Sequence, residues 1–303
     1  MREPMEPVPP HQTPPAVAAT RSVTIVIPAY NEAPAIGPVL DGLKRACGDV
    51  VREIIVVDDG STDDTARIAE GMGARVIRHP RNMGYGAAIK TGIQAAESEF
   101  VMTMDGDGQH DPADVPRFLR LSEEHDLVIG HRTQRLHSRL WRMPGKWLLG
   151  LLANYLTRQK LLDLNSGMRL IRRAVIVKYL HLCPPGFSFS TTSTLVFYNR
   201  GYRVGYVPIA VSRPRTKSTV SPVTGLETLV LILRIMTLFD PLRVFVPLSI
   251  LLGLFGVAWG LPYAIARRGV SVGALLLLVT ALLLFCVGLL SDQISELRKE
   301  RLE

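Results

Sequence analysis

Cysteine is scarce in this 303-residue chain, and its three thiols, Cys47, Cys183 and Cys286, form neither a CxxC pair nor any metal-ligand spacing. That excludes a disulfide-stapled scaffold and a structural zinc site, and it reads as reduced packing residues in a cytosolic catalytic domain. The seven histidines are scattered, so no histidine–carboxylate catalytic pair stands out. A true P-loop is also missing. The nearest segment, Gly84-Tyr-Gly-Ala-Ala-Ile-Lys90-Thr91, has Ile89 where the second glycine must be. The same segment fails as a dinucleotide fingerprint, because Gly92 is displaced and no first strand-to-helix turn precedes it. Residues 1–22 hold six prolines with no apolar run and no cleavage-site pattern, so they read as a disordered tail rather than a signal peptide.

Apolar residues and positive charge are plentiful. Hydrophobic residues make up 47% of the chain, high for a purely soluble protein, and the excess sits in the C-terminal segment. The formal charge of +8 suits anionic partners: nucleotide phosphates, nucleic acid or anionic headgroups. Two uncharged stretches, Val244 to Ala266 and Val270 to Ser291, each exceed the ~20 residues that cross a hydrocarbon core. Arg267-Arg268-Gly269 between them makes the tight turn of a helical hairpin. Val223 to Phe239 is apolar with Thr224, Glu227, Thr228, Arg234 and Thr237 on one half of a helical wheel, the pattern of a helix lying in the interface. A nucleic-acid binder would account for the basic charge but for neither the hairpin nor the acidic segment described next.

Between the tail and the hairpin, strands alternate with helices. Val23–Ile27 is a β-branched strand halted by Pro28, followed by a helix from about Pro34 to Ala46. Glu53–Val57 runs into Asp58-Asp59-Gly60-Ser61-Thr62, where Ser61 or Thr62 can cap the next helix. Arg75–Arg78, Phe100–Met104, Asp126–Gly130 and Arg203–Val211 are further strands, with a helix from about Gly84 to Ala96. This alternation predicts a mainly parallel α/β sheet with its ligand site at the carboxyl ends of the strands. Tyr30-Asn31-Glu32, Asp58-Asp59 and Asp105-Gly-Asp107 all fall at such ends.

The acidic segment Met104-Asp-Gly-Asp-Gly-Gln109 carries the most specific chemistry. One glycine separates Asp105 from Asp107, so both carboxylates, with the Gln109 amide, can offer oxygen ligands to one hard cation, Mg²⁺ or Mn²⁺. Gly106 and Gly108 let a ligand approach the backbone. A solvated Asp/Gly turn is the plainer alternative. An EF-hand loop does not fit, since His110 replaces its glycine and Pro116 its glutamate. Lys90 either contacts a phosphate at a glycine-eased helix start or is a surface cation. Arg135, Arg139, Arg142 and Lys146, interleaved with Trp141 and Trp147, suit a headgroup interface or a solvated basic face. Arg213-Pro-Arg-Thr-Lys217 has the composition of a phosphate clamp.

As an ordered set, VTIVIPAYNE (23–32), EIIVVDDGSTDDT (53–65), NMGYGAAIKTG (82–92), MDGDGQHDP (104–112), DLVIGHR (126–132) and DLNSGMRLIRR (163–173) resemble family 2 glycosyltransferases of the GT-A fold. Within that family the chain is similar to the polyprenyl-phosphate glycosyltransferases, such as dolichyl-phosphate mannose synthase and its relatives with a C-terminal membrane hairpin. The resemblance implies a Rossmann-like, mixed but mainly parallel sheet at 23–222, an interfacial helix at 223–241, a two-helix transmembrane hairpin at 242–292 and a cytosolic tail at 293–303. It implies that Pro28, Tyr30, Glu32, Asp59, Lys90, Asp105 and Gly106 line the nucleotide-sugar site, with Asp59 toward the base. Asp105, Asp107 and Gln109 match the family's DxDxQ metal site, and Arg132 an arginine bridging donor and acceptor phosphates. Asp107 and Arg132 are thus the residues expected to carry catalysis. Lys146 falls where relatives often carry arginine, and Arg213 and Lys217 resemble the late basic loop without its usual glycine. QxxRW is absent, which disfavours the processive polysaccharide synthases.

The expected activity is inverting sugar transfer from a nucleotide-sugar to polyprenyl phosphate, by a multi-pass protein of the inner membrane with its catalytic domain in the cytosol. A lipid phosphate is already anionic near neutral pH, so the missing base is expected. The alternatives are transfer to another lipid such as a diacylglycerol, and a catalytically silent membrane scaffold. Homo-oligomerisation is left open by the sequence.

Overall fold

The computed structural model describes residues 22–133, 162–164, 166–186, 188–211, 240–267, 269 and 271–300, with isolated positions 230, 233 and 237. The tail before Ser22, the segment holding Trp141, Lys146 and Trp147, the loop with Arg213 and Lys217, and most of the expected interfacial helix lie outside the described residues.

Seven strands form one sheet in the order β3-β2-β1-β4-β6-β5-β7. They are β1 (Val23–Ala29), β2 (Val51–Asp58), β3 (Arg75–Arg78), β4 (Phe100–Thr103), β5 (Leu127–Arg132), β6 (Arg169–Arg172) and β7 (Val204–Ile209). All neighbours are parallel except those of β6, which runs antiparallel between β4 and β5. The carboxyl ends of the other six strands and the entry to β6 therefore share one edge. Helices α1 (Ala33–Cys47), α2 (Thr65–Gly71), α3 (Tyr85–Ala95), α4 (Val115–Leu121), α5 (Arg173–Tyr179) and α6 (Phe189–Asn199) cover the sheet.

The central strands β1 and β4 are buried on both faces, and the period of two along the strands divides the core. Val26, Ile55, Val57, Val101, Leu127, Ile129 and Ile171 pack with α3, α5 and α6. Ile25, Ile27, Val56, Phe100, Met102, Val128 and Leu170 pack with α1 and α4. On α3 the fit is tight enough to require glycine: a Cβ on Gly92 would lie 2.2 Å from Val26 Cγ1.

Two local expectations are corrected. β1 does not stop before Pro28 but runs to Ala29. The β1–β4 ladder ends at Val26↔Thr103, so the missing Pro28 N–H faces no β4 acceptor and costs no ladder bond. Neither Ser61 nor Thr62 caps α2. The helix begins at Thr65, whose N–H donates to Asp63 Oδ1 (3.0 Å), while Ser61 Oγ accepts from Asn31 N–H (2.9 Å) and Thr62 N–H donates to Asn31 Oδ1 (2.9 Å).

The C-terminal helices α7 (Leu242–Ile265) and α8 (Val272–Glu300) pair as a hairpin, turning through Arg267 and Gly269 with positive φ. α8 continues past Ser291 to Glu300. The helices meet through small residues, Gly253 against Ala281, Gly260 against Ala274 and Gly288 against Phe245. Such contacts permit the close backbone approach typical of helices packed in lipid. Both are long and apolar enough to cross a membrane, and most of their apolar surface is unburied. A soluble protein could not leave so much contiguous apolar surface exposed, so the chain is membrane-associated.

Candidate active site at the carboxyl edge of the sheet

The loops at the carboxyl edge are tied into one rim by side chains that take up each other's backbone donors. Buried Asp58 accepts from Ser61 N–H (2.9 Å). Asp59, also buried, accepts from Met83 N–H (2.9 Å) and Gly84 N–H (2.8 Å) and lies 2.6 Å from His79 Nδ1, whose Nε2 reaches Thr91 Oγ1 (2.9 Å). Asp59 thus holds the β3–α3 loop and the first turns of α3 against the end of β2, a task that its position in the sequence does not announce. Tyr30 (46% exposed) and Met83 (50% exposed) project from this rim. Pro28 is buried within β1 and backs Gly106, whose Cβ position lies 3.3 Å from the Pro28 carbonyl. Glu32 sits at the start of α1, its carbonyl accepting from Ala35 and Ile36 and its N–H donating to Thr65 Oγ1 (2.8 Å).

Beyond β4, Asp105 is gripped from two sides. Tyr85 OH, at the first residue of α3, donates to Oδ1 (2.8 Å), and His110 Nε2 lies 3.2 Å from Oδ2. Burial opposes ionisation of Asp105, but the hydrogen bonds from His110 and Tyr85 and the charge of Arg132 outweigh it and hold its pKa below the usual carboxylate range. Asp107 accepts from Gln109 N–H (3.0 Å) and from the Gln109 side-chain amide. With its nitrogen turned to Asp107, the Gln109 amide has its oxygen without a hydrogen-bond partner among the described residues.

Arg132 ends β5 and is clamped by Asp163, with Nε–Oδ2 at 2.7 Å and Nη2–Oδ1 at 2.9 Å. The bidentate pair raises the arginine's pKa and leaves the guanidinium 37% exposed beside Asp105. Asp163 is the functional residue that sequence reasoning passed over. A carboxylate in a polar turn carries no signal until the fold returns that turn to the carboxyl edge. The Lys90 ammonium donates to the Cys183 carbonyl (2.6 Å), joining α3 to the α5–α6 connection.

Beneath the edge lies Arg169, the largest fully buried side chain among the described residues. It donates to Leu164 O (2.7 Å), Ser166 O (2.7 Å), Ser190 O (2.8 Å) and Thr194 Oγ1 (2.7 Å), so the turn bearing Asp163 is bolted to the first turn of α6.

A parallel sheet interrupted by one antiparallel strand, with paired acids and a clamped arginine at its carboxyl edge, defines a GT-A-type transferase domain. The family model for glycosyl transferase family 2 matches residues 24–180, and the chain belongs to that family. The model for the GtrB C-terminal hairpin matches residues 240–297. Among curated relatives, dodecaprenyl-phosphate galacturonate synthase of Rhizobium johnstonii is 34% identical over 164 residues, 51% of this chain and 48% of that protein. The chain thus spans about half the length of that relative. Undecaprenyl-phosphate 4-deoxy-4-formamido-L-arabinose transferase of Klebsiella pneumoniae is 27% identical over 257 residues, 82% of this chain and 77% of that one. A crystal structure of glucosyl-3-phosphoglycerate synthase from Mycobacterium tuberculosis with Mn²⁺, UDP-glucose and phosphoglyceric acid superposes with a TM-score of 0.58 at 23% identity, covering 71% of this chain and 80% of that one. That likeness concerns the fold.

Proposed function

We propose that the protein moves a sugar from a nucleotide-sugar to a polyprenyl phosphate at the cytosolic face of the cell's inner membrane, anchored there as a multi-pass protein by α7 and α8. The observation that carries this reading is the clamped, half-open Arg132 beside an ionised Asp105, in a chain that also bears an apolar hairpin. The two curated relatives, named for transfer to dodecaprenyl and undecaprenyl phosphate, support the same acceptor class.

The residues fit a divalent cation. Asp105 is held ionised, Asp107 lies two residues on, and the Gln109 oxygen has no hydrogen-bond partner among the described residues. Among the described residues no group of three acids, histidines or cysteines forms, so an ion here would need its other ligands from water and substrate phosphates. Mg²⁺ or Mn²⁺ there would supply positive charge to the donor diphosphate. The crystal structures of glucosyl-3-phosphoglycerate synthase hold Mn²⁺ or Mg²⁺ with UDP, in keeping with this assignment.

Tyr30 and Met83 offer exposed apolar surface to a nucleoside on the rim that Asp59 braces. Arg132 keeps donors free after binding Asp163, so its fixed positive charge can be shared by two phosphates. A phosphate oxygen of the acceptor attacks the anomeric carbon as that carbon's bond to the diphosphate breaks, with inversion. The acceptor is anionic at neutral pH, so no proton has to be removed. Lys146, Arg213 and Lys217 are assigned to the acceptor phosphate on sequence alone.

The test is a product-mass assay of the full-length protein in detergent or membranes, with a panel of nucleotide-sugars against undecaprenyl and dolichyl phosphate. Glycosyl-phosphoprenol that is lost in EDTA and in Asp107→Asn is expected. Sugar appearing on diacylglycerol instead, or full activity in excess EDTA, would overturn the reading.

A further inference from the structure

Asp105 differs from Asp107 in how it is held. Among the described residues Asp107 is hydrogen-bonded by Gln109, two residues along the same loop. Asp105 is met by two elements distant in sequence, Tyr85 at the start of α3 and Gly167 in the turn entering β6, and by His110 five residues along its own loop. Tyr85 and His110 take one oxygen each. Gly167 closes the third side, since a Cβ there would stand 2.2 Å from Oδ2 and 2.5 Å from Oδ1. The Gly167 wall is itself fixed, because its carbonyl accepts from the buried Thr103 hydroxyl (2.7 Å). A carboxylate offers about four lone-pair positions. With one per oxygen engaged from behind and the side chain 31% exposed, the remaining positions open toward the cleft.

We propose that Tyr85, His110 and Gly167 are positioning residues that lock Asp105 in the orientation in which it receives the divalent cation. The inference rests on the metal reading above and extends it from the ligands to the groups that orient them. Hydrogen bonding behind a ligating carboxylate costs metal affinity when it is removed, because the ligand must then be ordered by the metal itself. His110 is suited to this task alone. Facing a carboxylate, Nε2 carries the proton, while Nδ1 is buried with no hydrogen-bond partner among the described residues. Tyr85 packs its ring against the core while its hydroxyl reaches the acid, so the hydroxyl can be deleted without disturbing the packing.

The experiment measures Mn²⁺ binding to the detergent-solubilised full-length protein by electron paramagnetic resonance, with Mn²⁺ alone and with UDP. Tyr85→Phe and His110→Ala are each expected to weaken Mn²⁺ binding roughly 10-fold, the lower end of the loss seen when such supporting groups are removed. His110→Gln, which returns an N–H donor near the Nε2 position, should recover most of that loss. Gly167→Ala should be at least as damaging as His110→Ala. Turnover of Tyr85→Phe should return toward wild type at saturating Mn²⁺, a recovery that simple loss of folded protein would not allow. Mn²⁺ affinities of Tyr85→Phe and His110→Ala equal to wild type would overturn the proposal, as would His110→Gln behaving like His110→Ala. Wild-type protein that binds no Mn²⁺ with or without UDP would overturn the metal reading itself, and this inference with it.

Discussion

Replacing Arg169 by methionine should damage activity far more than stability. The guanidinium is 1% exposed, and burial pushes its pKa down to about 10. A fall from ~12.5 means that the charged form costs the folded state roughly 3 kcal/mol, at ~1.4 kcal/mol per tenfold. Methionine removes that cost and fills similar space. Against it stand the acceptors left behind. Ser190 O keeps the Ser193 and Thr194 hydroxyls as donors (3.1 and 2.9 Å), so only Leu164 O and Ser166 O lose the donor that Arg169 supplied. Two stranded carbonyls cost about 1–3 kcal/mol each. The net effect then lies between a gain of about 1 kcal/mol and a loss of about 3 kcal/mol, so Tm should fall by no more than about 10 °C for a domain of this size. The turn bearing Asp163 would no longer be bolted to α6, and a displacement of ~1 Å in Arg132 can cost on the order of 100-fold in turnover. Arg169→Lys should recover only part of the rate, because an ammonium cannot span from Leu164 O to Thr194 Oγ1. Scanning fluorimetry in detergent together with steady-state transfer assays reads both quantities. An Arg169→Met protein with near wild-type turnover, or one destabilised by more than ~20 °C, would refute this reasoning.

Three further outcomes follow from the same geometry. Asp163→Asn should lower kcat by roughly 10-fold or more with little change in donor KM, since it loosens Arg132 without removing a substrate contact; an effect confined to KM would contradict that. Burial pushes the Cys47 and Cys183 thiols up to about 11 and about 12, so neither should react with a disulfide reagent at pH 8 until the protein is unfolded. With both protons kept in the folded state and lost from the unfolded chain above about pH 8.5, stability should fall as pH rises from there toward 11, less steeply in Cys47→Ala, as followed by Tm against pH. Removing α7 and α8 should leave UDP binding intact while lowering efficiency on a long-chain acceptor in membranes, because the hairpin packs chiefly helix on helix and meets the domain core through Val244. Calorimetry on a chain ending at residue 239 decides this, and lost UDP binding would make the hairpin part of the fold.

The legible features were those in which one residue type interrupts another. Apolar runs ending in charge mark both the buried strands and their carboxyl ends, so Asp59, Asp105 and Arg132 were legible as residues of that edge, while their roles were implied by the family resemblance. The hairpin was legible for the same reason, as two long stretches without charge. What stayed hidden lacks such contrast. α6, Phe-Ser-Thr-Thr-Ser-Thr-Leu-Val-Phe-Tyr-Asn, has no apolar stripe, yet its residues 189–197 are buried; the Ser193 and Thr194 hydroxyls bond back to Ser190 O, and Thr194 also accepts from Arg169. β6 is four residues long and inserts antiparallel between strands that precede it in the chain, a spatial order that local pattern does not encode.

The division has a physical cause that bears on function. A group that meets an anion or a cation must stand at an open strand end, and there a charge is conspicuous in the sequence. A group that holds it in place is drawn from wherever the fold brings a donor. Tyr85 is 20 residues from Asp105, and Asp163 is 31 from Arg132. Each looks like an ordinary helix or turn residue until the sheet is closed. On the proposed function, donor specificity depends on the first kind of residue and the rate on both, because Arg132 and Asp105 would act on a diphosphate from the positions in which Asp163, Tyr85 and His110 hold them.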